Sequence, residues 1–416
     1  MPDRTEVAII GAGPYGLSIA AHLSARQIDT RIFGPPMHTW HTAMPRGMKL
    51  KSEGFASSLY DPSGVFPLSQ YCSEREIAYQ DIGQPVSLET FTEYGLEFQA
   101  RFVPGLDTRM VRALEHNTGG FELVLDDGQQ VSARQVIVAT GITNFAYTPP
   151  EFAHLPPSLL SHSSAHTDVS QVAGGAEGKR IVIIGAGASA IDLAALLNQS
   201  DASVTVVARR PAIDYNAPPR PRTVRDHIRE PVSGLGTGWR SLICVKAPLV
   251  FHYMPESFRL LVVRRHLGPA PGWVVREHVE RHVAMKLGAT IRGIREARGR
   301  AKLTVTIDGQ TSTIEADHVV AATGYRADMR RLPFIGPSIS RSLRCVEHTP
   351  ILDGQFQSSV PGLYFTGLAA ANSFGPLLRF AYGAGFTARR LARHLHGAGR
   401  RRSHQVRIPA VAPATT

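Results

Sequence analysis

Four apolar segments, each followed by a glycine-containing turn, set the pattern of the chain. They are Val7–Ile10 before GAGPYG, Val136–Ala139 before TGIT, Ile181–Ile184 before GAGASA and Val319–Ala322 before TGYRAD. A short continuous apolar run is typical of a strand buried on both faces of a parallel sheet. Strand, turn and helix in this order predict an α/β fold of two Rossmann-like dinucleotide-binding domains.

Two stretches alternate apolar and polar residues instead. Phe121, Leu123 and Leu125 precede Asp127-Gly128, and the stretch 302–314 repeats this pattern around Asp308-Gly309. Alternation about an Asp-Gly pair predicts a β-hairpin. The repeat indicates that one nucleotide domain is inserted into the other. We expect a first domain from 1–165 and 316–396, a second from 166–315 with an irregular insertion at 211–272, and a flexible tail at 397–416.

The first glycine turn, Gly11-Ala12-Gly13-Pro14-Tyr15-Gly16, has the spacing of a dinucleotide fingerprint. Its glycines would allow a tight turn, close approach of a diphosphate and close packing of the following helix. The predicted second strand, Thr30 to Phe33, ends in Gly34 rather than in an acidic residue. We therefore expect the ribose at this site to be held in another way.

The second turn comprises Gly185, Gly187, Ala188, Ser189 and Ala190, with alanine at the third glycine position. The strand that follows, Val204 to Ala208, ends in Arg209-Arg210. Guanidinium groups at this place suit the 2′-phosphate of NADPH. The alternative is a pair of solvated arginines at a strand end.

Composition and charge narrow the function classes. Residues 205–300 hold 16 Arg and 2 Lys against 7 acidic residues, an excess of +11 that equals the net charge of the whole chain. No basic motif interleaved with aromatic residues accompanies it, so we expect no nucleic-acid partner. We also expect no membrane span, no secretory signal and a cytoplasmic location.

The cysteines and histidines predict no metal site. Cys72, Cys244 and Cys345 form no CxxC pair. The pairs His162/His166 and His278/His282 each lack a third ligand, and we interpret them as surface or capping residues.

These motifs together resemble the class B flavin-dependent monooxygenases. The resemblance covers the chain from Val7 to about His394, through both glycine turns, Trp40, the VIVATG segment and Ala322-Thr323-Gly324-Tyr325. The stretch from Met48 to Pro62 is similar to the N-hydroxylating branch. The helix expected from Leu377 to His394 would point its N-terminus at the flavin.

The resemblance implies where the cofactors FAD and NADPH bind and which residues lie near the flavin ring, although it implies no protein side chain as a catalytic group. Near the flavin we expect Lys51, Ser52 and Asn372. For FAD it implies Gly11, Gly13, Pro14, Tyr15, Gly16, Trp40, Val111, Thr140, Gly141, Gly367 and Leu377. For NADP it implies Gly185, Gly187, Ala188, Ser189, Ala190, Arg209, Arg210, Thr323, Gly324 and Tyr325.

The reaction that the resemblance implies is oxygenation of a small-molecule substrate. NADPH would reduce FAD, O2 would form a C4a-(hydro)peroxide, and a nucleophile would take one oxygen, with N-hydroxylation of a primary amine as the leading expectation. Baeyer–Villiger or S-oxygenation, a pyridine nucleotide-dependent flavin reductase or oxidase, and a non-catalytic flavin sensor remain as alternatives. The oligomeric state is left open.

Overall fold

The apolar segments of the sequence become inner strands of two sheets, of which the first is mixed and the second is parallel. The structure, a computed structural model, describes residues 3–266, 268 and 270–405. The strands are β1 (Asp3–Ile10), β2 (Thr30–Phe33), β3 (Val111–Asn117), β4 (Gly120–Leu125), β5 (Gln130–Val138), β6 (Leu160–His162), β7 (Arg180–Ile184), β8 (Ser203–Val207), β9 (Val232–Ser233), β10 (Gly236–Thr237), β11 (Ala284–Lys286), β12 (Thr290–Ala297), β13 (Arg300–Ile307), β14 (Gln310–Ala316), β15 (His318–Ala321), β16 (Cys345–Val346), β17 (Thr349–Pro350) and β18 (Leu363–Phe365).

The helices lie mainly between these strands and on their faces. They are α1 (Pro14–Ser24), α2 (His38–Thr42), α3 (Leu68–Glu74), α4 (Leu88–Phe102), α5 (Ala188–Gln199), α6 (Val224–Arg229), α7 (Trp239–Lys246), α8 (Pro248–His252), α9 (Glu256–Arg265), α10 (Arg276–His282), α11 (Pro337–Ser342), α12 (Ala371–Phe374) and α13 (Ala384–Gln405). None of the described helices is both long and apolar enough to cross a bilayer.

The first sheet has the strand order β2-β1-β5-β4-β3, and β18 pairs with the end of β5. Strands β2, β1, β5 and β18 are parallel, whereas β4 pairs antiparallel with both β5 and β3. In β1 the residues from Val7 to Ile10 are all buried, as the apolar run predicted. Helix α1 packs beside α13 on this sheet, so the two ends of the chain meet in one core.

The second sheet is wholly parallel, in the order β11-β8-β7-β15-β6. Successive side chains of β7 point to opposite faces. Ile181 and Ile183 join α5 and α10 in one core, whereas Val182 and Ile184 join the antiparallel meander β12-β13-β14 in another. The predicted α/β fold, with parallel sheets and glycine turns after the strands, is thereby confirmed.

The sheets divide the chain differently from the predicted boundaries at 165/166 and 315/316. Those boundaries assign β6 and β15 to the first domain, but both strands hydrogen-bond in the second sheet. The reason is that the VVAATG segment completes the sheet of its own glycine turn, as VIVATG does in the first unit. We therefore place β6 and β15 with the second sheet.

The C-terminal helix begins later than Leu377 and ends later than His394. Two short 3-10 turns, Pro376–Arg379 and Ala381–Gly383, come first, and α13 starts at Ala384. Phe380 between them is extended, and its carbonyl accepts hydrogen bonds from the Tyr15 hydroxyl and the Gly383 N–H, which ends the first turn. Helix α13 continues to Gln405, into the stretch expected to be a flexible tail, and 406–416 lie outside the described residues.

Candidate functional site

The first glycine turn connects β1 to α1 through three glycines with different surroundings. Gly11 has φ +107°, and a Cβ there would lie 2.6 Å from the Ala139 carbonyl oxygen. A Cβ on Gly16 would lie 1.9 Å from the Gly11 carbonyl oxygen, so the helix can sit this close to the strand only with glycine. By contrast, nothing lies within 4 Å of a Cβ placed on Gly13. The turn is therefore tightly packed at Gly11 and Gly16 and has free space at Gly13.

The N-terminus of α1 faces this free space without a side-chain cap. Its N-cap, Gly13, is extended, Pro14 occupies the first turn, and no acidic residue lies there. Unpaired N–H groups and the positive end of the helix dipole favour an anion at such a terminus. The turn therefore fits the diphosphate of a dinucleotide, and Tyr15 and Gly16 are the first residues whose N–H groups follow Pro14.

Two further segments predicted to bind FAD border this turn. The Met37 N–H donates to the Ala12 carbonyl at 3.0 Å, which folds the start of α2 over the turn. Trp40 on α2 packs edge-on against Phe91, with ring centroids 4.7 Å apart. The segment with Thr140 and Gly141 follows β5, and there Thr143 shares a hydroxyl hydrogen bond of 2.6 Å with Thr39. The structure thus brings Trp40, Thr140 and Gly141 to one edge of the sheet.

The C-terminal residues meet the same turn through Tyr15. Its hydroxyl donates to the Phe380 carbonyl at 2.8 Å, and burial raises the pKa of Tyr15 well above its usual value, so it remains a donor. Gly367 lies against the Tyr15 ring and Leu377 is buried nearby. Asn372 lies on α12, where its side-chain amide donates to Thr349 Oγ1 at 2.9 Å.

A carboxylate lies beside the end of β2, although β2 itself ends in glycine. The Gly34 N–H donates to the Asp107 carbonyl at 2.9 Å. The Asp107 carboxylate is bound by Arg31 at 3.2 Å and Arg109 at 2.6 Å, and the guanidinium of Arg109 lowers its pKa. Val111 begins β3 just after this segment and is buried. Sequence spacing alone gave no sign of Asp107 here, because it is 73 residues beyond Gly34.

The second glycine turn repeats the geometry of the first between β7 and α5. Gly185 has φ +145°, and a Cβ there would lie 2.4 Å from the Ala322 carbonyl oxygen. Gly187 is the extended N-cap of α5, with no side-chain cap and no acidic residue in the first turn. Ala188 and Ser189 form that turn, and Ala190, at the third glycine position, is fully buried. This turn also fits a diphosphate.

Arg209 and Arg210 follow β8 and are exposed. The Arg210 guanidinium lies 3.0 Å from the Asp214 carboxylate, and both side chains are more than half exposed. Such a surface pair is weak and is easily exchanged for another anion. The Arg210 guanidinium is therefore available to another anion at the end of β8, and Arg209 is exposed next to it in the chain.

The turn after β15 joins the two units. The Thr323 hydroxyl donates to the Tyr147 carbonyl, and the Gly324 carbonyl accepts from the Tyr147 N–H at 2.9 Å and from His162 Nε2 at 3.1 Å. The rings of Tyr325 and His162 lie edge to face, with centroids 5.5 Å apart. The segment after β5 in the first unit is thereby tied to the segment after β15 in the second.

A cavity of about 310 Å³ lies where the segment 47–53 meets α5. Its polar lining includes Lys51, Ser52, Asp192, Gln199, Asn216 and His278. Asp192 is almost fully buried on α5, a helix otherwise dominated by alanine, leucine and isoleucine. Asp192 was not among the residues predicted from the sequence, although a single acidic residue inside an apolar helix is a usable signal.

Burial changes the ionisation of Lys51 and Asp192, two of the charged residues that line this cavity. Burial lowers the pKa of Lys51 to about 8, and the negative charge of Asp192 partly offsets that change. Burial raises the pKa of Asp192 to about 6, and the positive charge of Lys51 partly offsets that change. Each charge therefore supports the other, and both groups are ionised together between about pH 6 and pH 8.

The remaining candidate residues are the cysteines and the histidines. The three cysteines are free, with Cys72 and Cys244 buried and Cys345 exposed. His166 and His318 both contact the Ser161 hydroxyl. Within the described part of the chain, no three or more His, Cys, Asp or Glu side chains are grouped so that they could hold a metal ion.

Comparison with known proteins gives a family and a fold. The sequence model of the family described as pyridine nucleotide-disulphide oxidoreductase matches residues 5–237, more than half of the chain. A ferredoxin–NADP reductase from Gluconacetobacter diazotrophicus is 25% identical over 371 residues, which cover 88% of this chain and 84% of that protein.

Solved structures of ornithine hydroxylases share the fold. The ornithine N-hydroxylase of Kutzneria sp. 744, in complex with reduced FAD, NADP⁺ and L-ornithine, superposes with a TM-score of 0.76 at 14% identity, covering 95% of this chain and 100% of that one. The reduced ornithine hydroxylase of Pseudomonas aeruginosa gives 0.75 at 15% identity, covering 94% and 99%. The fold that the resemblance implied is confirmed by these structures.

Proposed function

Because the chain belongs to the pyridine nucleotide-disulphide oxidoreductase family, we propose that it is an FAD- and NADPH-dependent monooxygenase. The observation that carries this proposal is the pair of glycine turns, each ending in an uncapped helix N-terminus. The turn after β15 ties one to the other through Tyr147 and Gly324. Two dinucleotides held there could approach each other, as transfer of a hydride requires.

Each cofactor would be bound mainly by backbone. The α1 terminus would hold the diphosphate of FAD, with Trp40, Thr140, Gly141 and Gly367 around it. The α5 terminus would hold the diphosphate of NADPH, with Arg209 and Arg210 at its 2′-phosphate. When bound, FAD would accept a hydride from NADPH and supply the oxygen chemistry with O2.

The three free cysteines support oxygenation over disulfide reduction. A disulfide reductase needs a redox-active cysteine pair near the flavin. Cys72 lies on α3, Cys244 on α7 and Cys345 on β16, and burial raises the pKa of the Cys72 and Cys244 thiols. A raised pKa keeps a thiol protonated, which opposes thiolate chemistry. The proposed substrate is therefore a small nucleophile that takes oxygen directly.

Within this class, we favour N-hydroxylation of a primary amine. The fold similarity to two ornithine hydroxylases supports it. The insertion 211–272 would form one wall of the substrate pocket, since Phe251 packs on Gly375 and His252 stacks on Phe374, with ring centroids 4.9 Å apart. These contacts place α8 against the C-terminal segment that borders the proposed flavin site.

The proposal is tested with purified protein. We expect a yellow protein that oxidises NADPH only when O2 is present. Among amines, sulfides and ketones, a primary amine should give a product that has gained one oxygen atom by mass spectrometry, with little hydrogen peroxide. A colourless protein that binds no flavin would sink the proposal, and peroxide equal to the NADPH consumed with every substrate would make the protein an oxidase.

A second candidate function is reduction of a ferredoxin. It is favoured by the 25% identity to a ferredoxin–NADP reductase over most of both chains. The two functions separate under anaerobic conditions, because a ferredoxin reductase passes electrons from NADPH to ferredoxin without O2. Ferredoxin reduction at a rate far above that of amine-dependent NADPH oxidation in air would favour this candidate.

The pKa values of Lys51 and Asp192 predict how the rate of flavin reduction depends on pH. We expect NADPH-dependent flavin reduction to be fastest between about pH 6 and pH 8, where Lys51 and Asp192 are both charged. The rate should fall below about pH 6 as Asp192 gains a proton, and above about pH 8 as Lys51 loses one. Stopped-flow absorbance of the flavin across this range measures both limits.

Two variants show which residue sets the acid limit and which sets the alkaline limit of the rate. Asp192→Asn should abolish the acid limit and move the alkaline limit to lower pH, because the carboxylate raises the pKa of Lys51. Lys51→Met should abolish the alkaline limit and move the acid limit upward, because the ammonium lowers the pKa of Asp192. Unchanged profiles in both variants, with normal thermal unfolding, would remove the pair from the reaction.

A further inference from the structure

The outer face of α6 and α7 is apolar and exposed. The four residues Val224, Ile228, Trp239 and Ile243 are 79%, 65%, 55% and 58% exposed. Each helix contributes two of them at i and i+4, which is one side of a helix. The Trp239 indole N–H donates to the Ile228 carbonyl at 3.0 Å, so the two pairs adjoin. We call these four residues the α6–α7 patch.

The helices of this patch contribute few residues to the protein core. Helix α6 has no buried residue, and α7 buries only Ser241 and Cys244. Helix α9 also buries nothing, and it exposes Phe258 and Leu261. Contiguous exposed apolar side chains of this size mark interaction surfaces in soluble folds.

Basic residues outnumber acidic ones around the patch, where Asp226 and Glu230 stand against four basic side chains. Arg225 and Arg229 alternate with its residues on α6, and Arg240 and Lys246 lie on α7, all exposed. The proposed phosphate site at Arg209 and Arg210 follows β8 and uses none of these four residues. Their charge is therefore left unexplained by cofactor binding.

We propose that the α6–α7 patch binds the surface of an anionic lipid bilayer. Tryptophan and isoleucine side chains favour the boundary between head groups and acyl chains, while arginine and lysine remain with the lipid phosphates. A second copy of the chain fits less well, because a symmetric interface would bring the excess positive charge of both copies into one contact. The binding is peripheral, through side chains at the surface.

The inner side of the same insertion contacts the C-terminal segment. Arg259 Nη1 on α9 donates to the Asn372 carbonyl at 3.2 Å, and Arg379 Nη1 donates to the Val263 carbonyl at 3.2 Å. These bonds fasten α9 to the C-terminal segment at Asn372 and Arg379, and α7 packs on the 3-10 turn Pro376–Arg379 of the same segment. The proposal itself rests on the patch and its charges, and it holds whichever reaction the protein carries out.

Vesicle co-sedimentation of the full chain tests the proposal. We expect binding to vesicles of phosphatidylglycerol and phosphatidylcholine, weak binding to phosphatidylcholine alone, and loss of binding at high salt. Arg225→Gln/Arg229→Gln should weaken binding roughly 10- to 30-fold, since each basic residue near an anionic surface contributes about fivefold. Val224→Ser/Ile243→Ser should also weaken it, because burial of apolar side chains drives insertion.

Matched control variants separate this surface from general charge and hydrophobicity. Arg292→Gln/Arg295→Gln removes the same charge from β12, and Val65→Ser/Ile351→Ser removes exposed apolar residues elsewhere, so both should bind vesicles like the unaltered protein. Equal binding to both vesicle types, or equal loss in test and control variants, would overturn the proposal. So would a dimer that the Val224→Ser/Ile243→Ser variant dissociates while vesicle binding is absent.

Discussion

Replacement of Gly16 by alanine is expected to yield a protein that keeps less than about a tenth of its flavin. The new Cβ would lie 1.9 Å from the Gly11 carbonyl oxygen, and backbone atoms would have to move to relieve this clash. Helix α1 would be pushed away from β1, and its N–H groups would leave the position that the FAD diphosphate needs. The flavin absorbance per protein after gel filtration measures the loss.

A glycine without close neighbours provides the control. Gly105 has nothing within 4 Å of a Cβ and no positive φ, so Gly105→Ala should keep its flavin. Thermal unfolding with added FAD distinguishes a distorted site from a misfolded chain, because only a protein that still binds FAD is stabilised by it. Full flavin content in Gly16→Ala would place FAD somewhere other than the first glycine turn.

The glycine turns could be predicted because their signals are local. A four-residue apolar run followed by glycines specifies a buried strand and a tight turn within about ten residues of sequence. The structure places Gly11 and Gly185 at φ values that favour glycine, each against the carbonyl of an alanine in the neighbouring strand end. The hairpin turns at Asp127-Gly128 and Asp308-Gly309 were equally local, and they too lie between strands.

The features that sequence reasoning missed depend on long-range contacts. Asp192 approaches Lys51 only because α5 packs against the segment 47–53. Asp107 reaches the end of β2 through backbone pairing with Gly34. No local pattern encodes either distance, since loop closure between remote segments is decided by the whole fold.

The C-terminal helix shows the same limit at an element boundary. Apolar periodicity from Leu377 onward favours a helix, and the stretch contains no proline after Pro376. The tertiary hydrogen bond from Tyr15 to Phe380 instead holds an extended residue there, so the helix starts at Ala384. A contact between residues 365 positions apart thus overrides the local preference.

Removal of both guanidinium groups after β8 is expected to abolish the preference for NADPH. Arg209→Ala/Arg210→Ala should raise the KM for NADPH roughly 30- to 150-fold, because two charge-assisted hydrogen bonds at an exposed phosphate contribute about 2–3 kcal/mol together. The KM for NADH should hardly change, since NADH carries no 2′-phosphate. Steady-state NADPH and NADH oxidation at constant ionic strength gives both values.

The single variants should differ, and the difference separates phosphate binding from general attraction. The Arg210 guanidinium lies 3.0 Å from the Asp214 carboxylate, so it must give up that ion pair to bind a phosphate. Among the ion pairs of the described residues Arg209 has none to give up. Arg209→Ala should therefore raise the KM for NADPH more than Arg210→Ala does.

The matched variant Arg292→Ala/Arg295→Ala removes equal charge from β12 and should leave the ratio of the KM for NADPH to the KM for NADH intact. If that control lowered the NADPH preference as much as the Arg209/Arg210 variant, the preference would come from the positive field of the 205–300 segment as a whole, and the arginines after β8 would have no specific contact with the cofactor.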